Sequence, residues 1–158
     1  MAHAAHHFKA TLKWTGAAKG PTTDYETYSR EYRIEVPGKP AFTGSSDPAF
    51  RGDPKLYNPE DMLVVSLSSC HALSYLAVCA RARLPVVAYE DEASGTMEMK
   101  DGKMRFVEVT LRPRVTVAAG ADLEKARRLH ETAHGQCFIA NSVNFPVKNE
   151  PVIEIQKP

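Results

Sequence analysis

Asn58-Pro-Glu-Asp-Met-Leu-Val-Val-Ser-Leu-Ser-Ser-Cys-His-Ala-Leu-Ser-Tyr-Leu-Ala-Val-Cys-Ala-Arg-Ala82 is the stretch that decides the fold. Its beginning reads as a helix N-terminus, with Asn58 as N-cap, Pro59 at the first helical position, and Glu60 and Asp61 in the first turn. From Met62 to Ala82 almost every residue is apolar or small. A helix that is apolar on nearly every side belongs in the middle of a core. No unbroken apolar run approaches the roughly 18 residues of a membrane span. Ser66, Ser68, Ser69 and Ser74, beside the acidic cap, argue further against one.

Upstream, the chain reads as strand and turn. His7 to Trp14 alternates, with Phe8, Ala10, Leu12 and Trp14 on one face, which predicts a half-buried strand. Tyr25 to Val36 is rich in β-formers and closes at Pro37-Gly38. Phe42 opens a third short strand, and Gly44 to Tyr57 reads as a surface loop. Downstream, Val86–Lys100 and Met104–Val117 are alternating runs joined by Asp101-Gly102, a strong hairpin signal. Asp122 to Gly135 has helical spacing at Leu123, Ala126, Leu129 and Ala133. Gly135 to Ser142 predicts a further short helix, and Val152 to Ile155 a last strand. Three strands, a buried helix, a hairpin, helices and a strand make an α+β protein, read as a single domain over residues 1–158.

Composition excludes several function classes. The 158 residues suit one core, and 43% apolar with 25% charged residues is ordinary for a globular chain. A formal charge of +1, with the two signs interspersed, leaves no footprint for nucleic acid. The first seven residues lack the layout of a secretory signal, so the expected location is cytoplasmic. Three cysteines are too few, and odd in number, for a disulfide framework. In a reducing compartment they point to chemistry or metal.

Cys70 lies within the apolar helix between Ser69 and His71. A buried cysteine can be an inert small hydrophobe, but Ser68, Ser69 and His71 are costly there unless hydrogen-bonded or functional. Cys137 follows Gly135-Gln136 and is placed to open a helix, where backbone amides favour a thiolate. His130, His134 and Cys137 share one helical face at i, i+4, i+7 spacing, a set that suits zinc if the helix continues through Gly135. Otherwise the two histidines are solvated helix residues. Cys79 reads as core.

The run Asn58-Pro59-Glu60-Asp61-Met62-Leu63, ending in Ser68-Ser69-Cys70-His71, resembles the central-helix motif of the osmotically inducible protein C and organic hydroperoxide resistance (OsmC/Ohr) family. That motif has Asn-Pro-Glu followed by an acid and leucine, with a cysteine ten residues after the glutamate, as Glu60 and Cys70 are spaced here. Cys137, in Cys-Phe-Ile-Ala-Asn-Ser, matches the second family cysteine in place, without its following proline. His71 departs from the large apolar residue the family more often carries after the first cysteine.

The resemblance implies an OsmC-like fold, with antiparallel sheets around the central helix, and a peroxidase that needs no cofactor. Cys70 would attack an organic hydroperoxide and become a sulfenic acid, and Cys137 would condense with it to a disulfide. A dithiol, of lipoyl type in the family, would restore both thiols. An arginine held by Glu60 would polarise the site. Arg51 is the leading candidate for it, with Arg30 and Arg33 as rivals. Trp14, Phe50 and Phe138 are aromatic residues that could line a pocket for the alkyl group.

Ten helical residues rise about 15 Å, so Glu60 does not reach Cys70 along a straight helix. One site containing both therefore calls for a second copy, and an intertwined homodimer is expected, as the resemblance also implies. The competing reading is a non-catalytic small-molecule or zinc-binding protein on the same fold.

Overall fold

The computed structural model describes residues 4–157. By its internal contacts the chain divides into two compact units, Met1–Met62 and Leu63–Pro158. Helix α1 (Pro59–Arg81) runs from the first into the second.

The first unit is an antiparallel sheet of β1 (Thr11–Trp14), β2 (Tyr32–Glu35) and β3 (Phe42–Gly44) in that order. Leu12 pairs with Ile34, and Ile34 with Phe42. Both upstream strands are shorter than the sequence pattern predicts. Residues 25–28 turn instead of extending, because Asp24 folds the chain back: its side chain accepts the Glu26 N–H and its carbonyl accepts that of Tyr28. With β2 reduced to four residues, only Thr11–Trp14 of the expected first strand finds a partner. Phe8 and Leu12 are exposed, so the expected half-buried face is open in the single chain. A Cβ on Gly44 would stand 2.5 Å from the ring of Tyr32, so only glycine lets that ring lie across β3.

Helix α1 begins where the sequence places it. Asn58 Oδ1 accepts the Asp61 N–H at 2.7 Å, and the Asn58 carbonyl accepts that of Met62. By length and hydropathy α1 is long and apolar enough to cross a membrane, although no unbroken apolar run predicts it. Hydroxyls reconcile the two, since Ser66 Oγ donates to the Leu63 carbonyl and Ser69 Oγ to that of Val65. Leu67, His71, Tyr75, Val78 and Cys79 form its buried face. Burial on every side is not found, because Val65 (59% exposed), Leu73 (69%) and Leu76 (38%) form an open apolar row.

The second unit holds two more sheets. One orders β4 (Val86–Asp91), β7 (Pro113–Val117) and β9 (Val152–Ile155); the other orders β5 (Ser94–Lys100), β6 (Lys103–Leu111) and β8 (Val147–Asn149). The predicted hairpin is β5–β6, with Asp101 and Gly102 at φ +52° and +73°. Each long alternating run is split between the two sheets. At the split, Asp91 accepts the Arg112 N–H at 2.7 Å with its side chain, and Ala93 packs on Leu67, Val109 and Leu111. Strands β8 and β9 add in parallel to β6 and β7, so both sheets are mixed where only antiparallel pairing was expected.

Helix α2 (Leu123–Gln136) starts at Asp122, whose side chain accepts the Lys125 N–H. It continues through Gly135. Its Ala126 and Ala133 pack with Tyr75, Val78, Cys79, Val115 and Val117 in one core, while Leu67, Val109 and Leu111 centre a second.

Candidate active site

Cys70 and Cys137, separated by 67 positions, are brought together within the second unit, close enough for the two side chains to interact. Helix α1 supplies Cys70 from a half-buried position. Cys137 is 1% exposed and sits at the C-cap of α2, where its N–H bonds the His134 carbonyl at 3.2 Å. The expected helix opening at Cys137 is therefore a helix end. The chain turns immediately afterwards into a single 3-10 turn, Ala140–Ser142. This brings the backbone N–H groups of Ala140 and Ile139 onto the Cys137 sulfur.

Charge at Cys137 is governed by opposing effects. Burial is the largest and raises its pKa well above the ordinary thiol value; the two amides lower it, and the neighbouring Cys70 sulfur raises it again. Cys137 thus holds its proton at neutral pH. Cys70 is the more accessible residue of the two. Cys79, as expected, is core: it is 1% exposed, and burial raises its pKa.

His130 overturns the expectation of a solvated histidine. It is 3% exposed, and its Nδ1 lies 3.1 Å from Nε2 of the fully buried His71. The ring of Tyr75 stacks on His130 with centroids 3.7 Å apart. Burial lowers the His71 pKa to about 4 and the His130 pKa to about 3, with the nearby imidazole of His134 adding to the first and that of His71 to the second. Both rings are therefore neutral, sharing one proton across the α1–α2 contact. His71 Nδ1 and His130 Nε2 have no partner among the described residues.

The α2 residues proposed for zinc point to different neighbours. His130 faces His71, His134 Nδ1 lies 3.2 Å from Asn149 Nδ2, and Cys137 faces Cys70. Among the described residues, no group of three or more His, Cys, Asp and Glu side chains could hold a metal ion. The donor set does not fit zinc.

In the first unit, Arg51 does not reach Glu60. It occupies a left-handed C-cap (φ +65°) after the Pro48–Phe50 turn, and its exposed guanidinium pairs with Glu26. Arg33 is exposed and pairs with Glu35 at 2.8 Å. Arg30 is the buried member of the three. Its terminal nitrogens donate to the carbonyls of Tyr28 and Tyr25, and its guanidinium lies 3.7 Å from the Tyr28 ring centroid. Arg30 Nε, Tyr32 Oη and Glu60 Oε2 are each buried without a partner among the described residues. Burial, and then the Glu60 carboxylate, raises the Tyr32 pKa, so its phenol stays protonated. Nothing in the sequence singles out Tyr32; it is one of six tyrosines in the chain and lies in a strand-like run. Trp14 donates its indole N–H to the Ser29 carbonyl, while Phe50 and Phe138 are exposed.

With this geometry in place, the family follows. The model of the OsmC-like protein family matches residues 52–151, which include Glu60, Cys70 and Cys137. The chain belongs to the OsmC-like family. This OsmC-like protein is similar to an OsmC-like protein of unknown function from Vibrio cholerae, with 31% identity and a TM-score of 0.86 over 94% of this chain and 100% of that one. An organic hydroperoxide resistance protein from Elizabethkingia anophelis shares the fold at 17% identity and TM-score 0.71, covering 97% of this chain and 99% of that one. An organic hydroperoxide resistance protein from Legionella pneumophila does so at 14% and 0.71, covering 96% and 99%. Among curated protein sequences, none matches this chain. The expected α+β, OsmC-like fold is therefore established, and likeness to the hydroperoxide resistance proteins is established at the level of fold.

Proposed function

We propose that this OsmC-like protein is a thiol peroxidase that reduces organic hydroperoxides with Cys70 and Cys137. The observation that carries the reading is the meeting of the two thiols, one accessible and one buried and protonated. The Cys70 thiolate attacks the terminal peroxide oxygen, the O–O bond breaks, and the alkoxide leaves as an alcohol after taking a proton. Cys70 is then a sulfenic acid. The Cys137 sulfur, already alongside, displaces its hydroxyl as water and forms the disulfide. An external dithiol, of the lipoyl type in the cytoplasm, returns both thiols to the reduced form. Alkyl hydroperoxides suit such a site better than hydrogen peroxide because their apolar groups gain from burial.

Arg30, not Arg51, is the guanidinium for the peroxide oxygens in this reading. It is buried, has a free Nε, and shares its unit with the unpartnered Glu60 and Tyr32. Ten helical residues rise about 15 Å, so in this reading Glu60 serves the thiols of a second copy. The open row Val65, Leu73 and Leu76 supports the homodimer, since it leaves the apolar central helix uncovered in one chain.

The test is turnover of cumene hydroperoxide with dihydrolipoamide as reductant. Wild type is expected to consume peroxide catalytically, Cys70→Ser not at all, and Cys137→Ser for a single turnover. Equal turnover by wild type and Cys70→Ser would refute the proposal.

A further inference from the structure

We infer that the reductant enters at Cys70 and expels Cys137 as the leaving thiolate, so the mixed disulfide with reductant forms on Cys70 alone. This rests on the peroxidase reading of the same two thiols. It goes beyond that reading by assigning different roles to the two sulfurs of the disulfide during reduction.

Access decides which sulfur is attacked. A thiolate attacks a disulfide in line, from behind the sulfur it bonds to, so that sulfur needs an open far side. Cys137 is 1% exposed and closed in by the turn that follows it. Cys70 is only half-buried on α1. The departing Cys137 thiolate is costly, because burial raises its pKa and exchange slows as the leaving thiol's pKa rises, but two amides offset part of that cost. The N–H groups of Ile139 and Ala140 already point at Cys137 Sγ. Both residues pack against the Leu67, Val109 and Leu111 core, which fixes those donors in place before reduction begins. Burial opposes charge at Cys137, so its thiolate is brief and must be quenched.

The dithiol supplies the quenching proton. Its thiolate bonds to Cys70 Sγ and the Cys70–Cys137 bond breaks, placing the electron pair on Cys137. Cys137 takes a proton from the reductant's second thiol and returns to the neutral thiol that its burial favours. The thiolate so formed attacks the reductant sulfur of the mixed disulfide, closes the oxidised cyclic reductant and releases Cys70 as thiolate. One disulfide is reduced and one is formed.

The experiment uses full-length protein oxidised in two ways, with one equivalent of cumene hydroperoxide and separately with diamide. Each sample is reacted with limiting 2-mercaptoethanol, a monothiol that stalls at the mixed disulfide. It is then quenched with N-ethylmaleimide and mapped by mass spectrometry. The expected result is 2-mercaptoethanol on Cys70 and maleimide on Cys137, in about tenfold or greater excess over the reverse. Adduct on Cys137, or an even split, overturns the inference. A disulfide formed with diamide but not with peroxide removes the peroxidase reading, while the attacked sulfur is still read from the diamide sample. No Cys70–Cys137 bond from either oxidant overturns both.

Discussion

Lowering the pH from 7 to 4.5 should destabilise this protein through the His71–His130 pair. Both imidazoles are buried, and their folded-state pKa values, about 4 and about 3, lie below the ordinary value of 6.5. The unfolded chain therefore takes up protons that the folded one refuses. The stabilisation from keeping these rings neutral is complete above pH 6.5 and is lost as the pH falls toward the folded values. At pH 4.5 an imidazole shifted this far contributes roughly 2 kcal/mol of destabilisation, and the pair roughly 2–4 kcal/mol after allowing for coupling. That is a large share of the roughly 5–15 kcal/mol that holds a domain together. The charges near the pair are His134, Asp91 and Arg127; only Asp91 favours protonation, and its effect on His71 is the smallest of the three causes.

The measurement is urea unfolding followed by circular dichroism at pH 7 and 4.5, on wild type and on the double variant His71→Met with His130→Phe. Replacing both partners by apolar groups of similar shape removes the proton sites and leaves no orphaned partner. Stability at pH 7 should therefore change by no more than about 1 kcal/mol. The ring at 130 keeps its stack on Tyr75. Wild type should lose roughly 2–4 kcal/mol more than the variant on acidification. An equal loss in both would refute the assignment of acid sensitivity to this pair.

Other expectations concern the rest of the molecule. Arg30→Met should lower kcat/KM for cumene hydroperoxide by about 100-fold, a loss of about 2.7 kcal/mol of transition-state stabilisation. Arg51→Met should leave it within about twofold, since Arg51 is exposed on Glu26; steady-state kinetics on both variants would separate them. Leu73→Asp puts a charge in the open row of α1 and should turn a dimer into monomer by light scattering, whereas a monomeric wild type would contradict the dimer. Asn58→Ala removes the acceptor for the Asp61 N–H and should cost about 1 kcal/mol in urea unfolding.

Much of this was legible in the sequence where local chemistry decides the structure. Asn58 and Asp122 cap helices with their own side chains, and Asp101-Gly102 turns a hairpin with backbone angles that those residues adopt readily. The glutamate-to-cysteine spacing on α1 pointed to the family. What was hidden depends on partners distant in sequence. Within Met104–Val117 only Pro113 hints that the run changes sheets at Arg112, and the group accepting the Arg112 N–H is Asp91, 21 residues away. The parallel additions of β8 and β9 are equally non-local. His130 reads as a solvated residue of a charge-rich helix until His71, 59 residues earlier, is placed beside it. Among the arginines, proximity to Glu60 in sequence favoured Arg51, whereas Arg30 is the buried one and Arg51 is exposed on Glu26.

Thiol counting tests the central claim most directly. Reduced protein given one equivalent of cumene hydroperoxide should fall from three free thiols to one, with Cys79 retained and Cys70 joined to Cys137 in the peptide map. The Cys70→Ser variant should keep both of its thiols. Three thiols surviving in wild type would contradict the account, and a disulfide involving Cys79 would contradict the pairing on which it rests.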